Sequence, residues 1–249
     1  DNVSIPARSI VPLLRDVPVP GSVPGSGPGS LQKAQTPATD SWQEARTRLL
    51  NWNYSVDADS VTAGIYEMFQ RRVSANIRNL MVPKEAQTFI GQLSMKRVID
   101  WLQAPDGRFG SDAVQGRDEL LTRSLAEAIE ELTKKLGPDM NAWRWGQTAY
   151  HHALIRHPLA DIAAAEVRAK LNVGPFPRGG DSYTVSATGN ADNQTSGGSL
   201  KIIADTERWD NSLALNNPGQ SGDPDSAHYR DLFELWSRGR YFPIFYSRS

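Results

Sequence analysis

The sequence predicts an α+β fold, with helices through most of its length and strands confined to the end. Three observations carry this. Before Gly179, apolar residues recur mainly at three- and four-residue spacing, the period of an amphipathic helix. After it come three short runs rich in β-branched residues, 182–187, 199–204 and 212–215. Gly, Asn, Asp and Pro separate those runs, as turn residues separate strands. So few strands cannot complete a sheet layer alone, so they are expected to need partner strands from elsewhere.

The chain divides into four stretches. Residues 1–16 form an N-terminal helical segment starting near Pro6, where a proline is tolerated in a first turn. Residues 17–30, VPVPGSVPGSGPGS, are a Pro/Gly/Ser linker in which no apolar face can form. Its glycines do not make a phosphate loop, because prolines remove backbone donors and no GK[ST] follows.

Residues 31–171 are expected to be helical. Asp40 or Ser41 caps a helix carrying Trp42, Ala45, Leu49 and Trp52 on one side. Asp57, Asp59 and Ser60 open a longer one with Ala63, Tyr66, Phe69, Val73 and Ile77 as its buried stripe. Pro83 ends that helix and starts the next, with Phe89, Ile90, Leu93, Val98, Ile99 and Leu102 inward. A polar loop at 104–116 leads to a helix at 115–136, striped by Leu121, Leu125, Ala128, Ile129, Leu132 and Leu136 and stopped by Gly137 and Pro138. An aromatic, histidine-rich stretch at 140–159 precedes a weak helix at 161–171. Residues 172–249 hold an extended connector at 173–180, the three strands, a helix at 228–238 and an aromatic tail at 241–246 that packs down.

Composition narrows the function classes. The 249 residues carry a net charge of −1, without the basic excess of a nucleic-acid binder. No run of 18 apolar residues could span a membrane. With no cysteine there is no disulfide, thiol nucleophile or Cys-ligated zinc. Asp1, in place of Met, is expected to mark an internal boundary.

Each candidate for chemistry has a structural explanation beside it. His151, His152 and His157 lack the HExxH spacing of a metal site. Adjacent residues on a helix point about 100° apart, so a packed aromatic loop explains them better. Asp223 and Asp225 supply too few oxygens for a calcium loop and read as a turn and N-cap before the last helix. The segment 216–223, NNPGQSGD, is turn-dense and could present backbone donors to a ligand or simply link strand to helix. No GxSxG elbow is present. Trp143, Trp145, Trp209 and Trp236 could form a carbohydrate platform, but tryptophans in apolar stripes more often fill cores. The sequons at Asn2, Asn53 and Asn193 are short enough to arise by chance. No catalytic, cofactor-binding or metal-ligating residue is assigned from these patterns.

Four segments in order resemble the penicillin acylase (penicillin amidase) family of N-terminal nucleophile hydrolases. They are NWNYSVDADSVTAGIYEMF, LGPDMNAWRWGQTAYHHALIRHPL, GGDSYTV and the closing run from SLKIIAD through NNPGQSGDPDSAHY to GRYFPIFYS. The PGQSG…HY run is the most specific. Two departures are local: Lys201 stands where the family often has Arg, and 217–220 offers one Gly where two are common.

The resemblance implies an αββα sandwich of which this chain is the C-terminal portion, with a mainly helical insertion. It implies amide hydrolysis by a Ser at the start of the β subunit, whose own α-amino group is the base. Asp1 cannot replace that Ser, and no position of this chain matches a catalytic residue of the family. The chain is therefore expected to be the C-terminal part of a β subunit, inactive alone. Its partners would be the rest of the precursor, meaning the α subunit and the N-terminal half of the β subunit. Its substrate would be a small acyl amide, its compartment the bacterial periplasm or exterior. No cofactor is expected; the family can carry a structural calcium, for which no ligands are identified here. Two other readings remain: a non-catalytic module that binds a partner or glycan through its aromatics, and a metalloenzyme built on the three histidines.

Overall fold

A computed structural model describes residues 2–20, 37–189, 191–194 and 197–247. The chain forms two compact units, Ser4–Ser55 with Ser60–Arg144, and Asp1–Val3 with Val56–Asp59 and Trp145–Ser249.

The first unit is helical. Helix α1 (Ile5–Ile10) runs into a 3₁₀ turn at Val11–Arg15, with Pro6 and Pro12 in the opening turns where a missing N–H costs nothing. Ala7, Ile10, Val11 and Leu14 are buried. Arg46, on α2 (Pro37–Leu50), donates from Nε to the Leu14 carbonyl at 2.8 Å and so closes the end of that turn. The linker expected at 17–30 lies, from residue 21 on, outside the described residues.

Helix α3 (Val61–Met81) starts at Ser60, whose Oγ accepts the Ala63 N–H at 3.1 Å. Its stripe of Ala63, Tyr66, Phe69, Val73 and Ile77 is fully buried, as the spacing predicts. Helix α5 (Ala113–Leu136) is capped by Asp112, which accepts the Gln115 N–H at 2.9 Å, and buries Leu121, Leu125, Ala128 and Leu132. Helices α2, α3 and α5 pack against one another, and Trp42 of α2 donates its indole N–H to Thr122 O on α5.

The helix expected to start at Pro83 does not. A 3₁₀ turn at Lys84–Ala86 leads into an irregular stretch that leaves Phe89 89% exposed. Ser94 is the true N-cap, and α4 (Met95–Gln103) buries only Val98 and Leu102.

The second unit holds the strands. Strand β1 (His152–Ile155) lies between antiparallel β2 (Val173–Pro177) and parallel β3 (Asn193–Gln194). A strand therefore occupies part of the stretch 31–171 expected to be helical, and the connector at 173–180 is a strand too. The second sheet is antiparallel, in the order β4 (Lys201–Ile203), β5 (Leu213–Leu215), β6 (Phe242–Pro243). Helix α6 (Ala165–Leu171) precedes β2, and α7 (Phe233–Ser237) precedes β6. The core of this unit joins Ala153, Val173 and Leu215 from the sheets to Tyr229, Phe233 and Trp236.

Three expectations change here. Residues 182–187 are turns, because Asp181 accepts the Tyr183 N–H on Oδ1 and donates its own N–H to Thr184 Oγ1. The last helix begins only at Phe233, since the Leu232 N–H donates to Pro218 O and the Tyr229 N–H to Ser226 O. The aromatic tail pairs with β5 through β6, but Phe245 and Tyr246 stay exposed.

Candidate functional site

The closing segment 216–232 belongs to the second unit and is held by its own backbone. Gln220 and Ser221 both donate their N–H to His228 O, at 2.8 and 3.1 Å. Gly219 must be glycine, because a Cβ there would lie 2.2 Å from His228 O. Side chains tie the segment to α6: Tyr229 OH donates to Leu171 O at 2.7 Å, and Lys170 pairs with Asp225 at 2.7 Å. Asp223 accepts the Asp225 N–H, so neither acid caps α7, correcting the expected N-cap. The N–H groups of Gln220 and Ser221, the natural oxyanion donors of such a turn, are spent on a carbonyl. Ser221 Oγ accepts the Asp223 N–H, and His228 Nδ1 faces Asp231 Oδ2 at 2.8 Å on an exposed surface.

The three histidines go three ways. His151 is fully buried and stacks on Trp145, ring centroids 4.1 Å apart and planes 5° from parallel. His152 opens β1, its N–H donating to Asp192 O. His157 caps the 3₁₀ turn Pro158–Asp161, its Nδ1 accepting the Leu159 N–H at 3.1 Å. Among the described residues no group of three His, Asp or Glu side chains could hold a metal ion.

The tryptophans do not make a platform. Trp143 and Trp145 are 1% exposed, and their indole N–H groups donate to Gly137 O and Gly180 O. Trp236 is buried beneath Arg178, and only Trp209 is open, tilted against Tyr246. Of the sequon asparagines, Asn193 accepts the Leu154 N–H at 2.9 Å across β1 and β3, and Asn53 accepts the Ser55 N–H.

The most unusual chemistry sits where no motif pointed. Arg178 follows β2 in the Pro-Arg-Gly-Gly run and is 1% exposed. Its guanidinium lies 3.6 Å over the Trp236 ring, and Nη1 donates to Trp236 O at 2.7 Å. Nε and Nη2 are buried and have no hydrogen-bond partner among the described residues. Burial pushes the group's pKa down to about 10. Gly180, at φ +88°, donates to Val56 O and packs so closely on Ser186 that a Cβ would meet its carbonyl at 2.4 Å. Ser186 Oγ accepts from Lys201 Nζ at 2.7 Å. Burial, and then the Arg178 charge, holds Lys201 down to about 8. Among the described residues, Arg178 is hydrogen-bonded to Trp236 O and Lys201 to Ser186, and neither is hydrogen-bonded to a carboxylate. The sequence carried one faint signal of this, an Arg alone in an apolar connector and followed by two glycines.

Comparison with known proteins places this geometry. The family model described as penicillin amidase matches residues 1–249. Acyl-homoserine lactone acylase QuiP of Pseudomonas fluorescens is 31% identical over 217 residues, covering 81% of this chain and 25% of that protein. The same-named protein of Pseudomonas aeruginosa is 29% identical over 227 residues, 81% of this chain and 27% of its own length. Penicillin acylase 2 proenzyme of a Pseudomonas species is 30% identical over 219 residues, 82% of this chain and 27% of that protein. Among solved structures, the thermostable penicillin G acylase of Alcaligenes faecalis shares the fold at a TM-score of 0.50 and 18% identity, over 99% of this chain and 44% of that one. The chain thus spans about a quarter of the length of the curated relatives it matches.

Proposed function

The chain belongs to the penicillin amidase family, and we propose that it is the C-terminal part of the β subunit of an acyl-amide hydrolase. The observation that carries this is the match of the family model over residues 1–249, on a chain that spans only about a quarter of relatives named as acylases. In this reading the nucleophile is a Ser at the start of the β subunit, outside this chain, with its own α-amino group as base. The acyl-enzyme it forms is resolved by water, and oxyanion donors also lie outside this chain. The present residues act as structure: the helical unit is an insertion, and the two three-stranded sheets contribute to a four-layer sandwich completed by the rest of the precursor. The partners are the α subunit and the N-terminal half of the β subunit. The substrate is a small acyl amide, with N-acyl-homoserine lactones and penicillin side-chain amides as the first two classes to try. The compartment is the periplasm or exterior of a bacterium.

Direct assay separates this reading from its rivals. The whole gene product should hydrolyse a phenylacetyl amide or an N-acyl-homoserine lactone, and the chain of residues 1–249 alone should not. Turnover by that chain alone would sink the proposal.

A further inference from the structure

We infer that the step from Asp106 to Gly107 is a latent modification site, where the chain closes to a succinimide and reopens as an isoaspartyl link, and that Arg108 holds this reaction off in the folded protein. The inference stands on the helical unit alone and does not depend on the acylase reading.

The reacting groups are all in place. This is the one Asp-Gly step in the chain, and there is no Asn-Gly. In the reaction the Gly107 backbone nitrogen attacks Cγ of the neutral Asp106 carboxyl. The carboxyl hydroxyl leaves with the amide proton as water, giving a five-membered imide. Water then opens either carbonyl, which restores aspartate or leaves the backbone routed through the side chain. No cofactor or redox partner enters. The loop supplies what this chemistry needs. The Asp106 side chain is half exposed, so water has access. The Gly107 N–H donates to no group among the described residues. Gly107 has no side chain to shield the attack, and a Cβ added there would meet nothing within 4 Å.

Against these stands a clamp, because Arg108 grips the same carboxyl twice. Its backbone N–H donates to Asp106 Oδ1 at 3.0 Å, capping the 3₁₀ turn Gly107–Phe109. Its guanidinium forks across the carboxylate, Nε to Oδ1 at 2.9 Å and Nη2 to Oδ2 at 2.6 Å. The fork is itself placed by Trp101 of α4, whose ring centroid lies 5.0 Å from the guanidinium carbon. The turn is seated on α5, where Gly116 lies so close to Phe109 that a Cβ would strike its carbonyl. The Arg108 side-chain bonds first, and then its backbone N–H, hold the Asp106 carboxyl down to about 2 from an ordinary 3.8. Ring closure needs the neutral acid, so the folded turn deprives the reaction of its reactive form. An exposed pair adds little to stability; its effect here is on a rate. Allowing for screening by solvent, the slowing is about tenfold. An isoaspartyl link would lengthen the backbone by one methylene and pull the Arg108 N–H from its cap, unseating the turn that precedes α5.

The test ages the whole gene product at neutral pH, folded and in urea. Isoaspartate is counted by methyl transfer from S-adenosylmethionine with an isoaspartyl methyltransferase and located by peptide mapping. When folded, Arg108→Gln should accumulate it at residue 106 about ten times faster than wild type. In urea the two should age alike, because the clamp exists only in the fold. Adding Gly107→Ala to Arg108→Gln should remove most of the gain, since a side chain on the attacking residue hinders ring closure. The open space around Gly107 admits that change without disturbing the fold. Arg108→Lys keeps a cation without the fork and should fall between, which keeps the test decisive where glutamine loosens the turn. Equal folded rates for Arg108→Gln, Arg108→Lys and wild type overturn the inference. So does a gain that survives Gly107→Ala, or one as large in urea as in the fold. None of these results bears on the acylase reading.

Discussion

The two units build their cores from different elements. The helical unit closes its interior mostly with apolar side chains from α2, α3 and α5, buries Glu67, Gln70, Asp118 and Ser124 beside them, and has its helix starts finished by Ser60, Ser94 and Asp112. It exposes large apolar groups on its helices, at Ile5, Leu80 and Val114, and in the irregular stretch at Phe89. The strand unit buries Arg178, Asp181, Thr188, Gln194 and Ser212 beside its apolar cluster, while Ile202 and Ile203 of β4 lie half open. Its strands are two to five residues long. A helix satisfies its own backbone, so a few helices suffice to make a closed core. A strand satisfies none of its backbone by itself, and each neighbour it pairs with satisfies about half. The contrast therefore separates a region whose backbone bonds are made mostly within each helix from one whose bonds depend on pairing between segments distant in sequence.

The sharpest attack on the first half of this comparison is Phe69→Ala. It should cost about 3–5 kcal/mol, because the site is fully buried among rigid helices. Denaturant unfolding measures it, and a loss below about 1 kcal/mol would mean the helical core is loosely packed. In the strand unit, Gly219→Ala should cost about 1–3 kcal/mol, since the new Cβ would drive His228 O away and break the bonds from Gln220 and Ser221. Amide exchange at residues 220 and 221 should speed up in that variant while α3 stays protected.

Ser60→Ala should cost about 1 kcal/mol by leaving the Ala63 N–H without its cap. The pH response then probes the cations. The Lys201 pKa is held down to about 8 from an ordinary 10.5. Between those values the unfolded chain binds more protons than the folded one, so this group makes stability rise with pH from about 8 to 10.5. Lys201→Met should flatten the rise, and an unchanged slope would remove Lys201 from the account. The smallest effect belongs to the exposed pair of Glu44 and Arg48, where Glu44→Ala should change stability by a few tenths of a kcal/mol at most.

The helices were legible because their signals are local. Ser60 three residues before Ala63, and Asp112 three before Gln115, announce their caps in the sequence, and the stripe of α3 repeats within one element. The misread segments are those where a local preference met a competing local bond. Val185 lies in a run of β-branched and polar residues, yet the Asp181 and Thr184 side chains take the backbone into turns. Phe89 and Ile90 continue an apolar pattern but precede the true cap at Ser94. The histidines and tryptophans were legible as packing residues in kind, though not in partner.

What the sequence determined by itself is the order and period of the helices, the turn chemistry of 216–223, and the family, through segments spread along most of the chain. Only the tertiary structure decided that Arg178 is buried on Trp236, 58 positions away, and that burial, with a smaller contribution from the Arg178 charge, makes Lys201 lose affinity for its proton. The reason is physical. Caps and periods depend on neighbours within a few residues. The cost of a buried charge depends on whatever the fold brings around it, and no short stretch of chain specifies that.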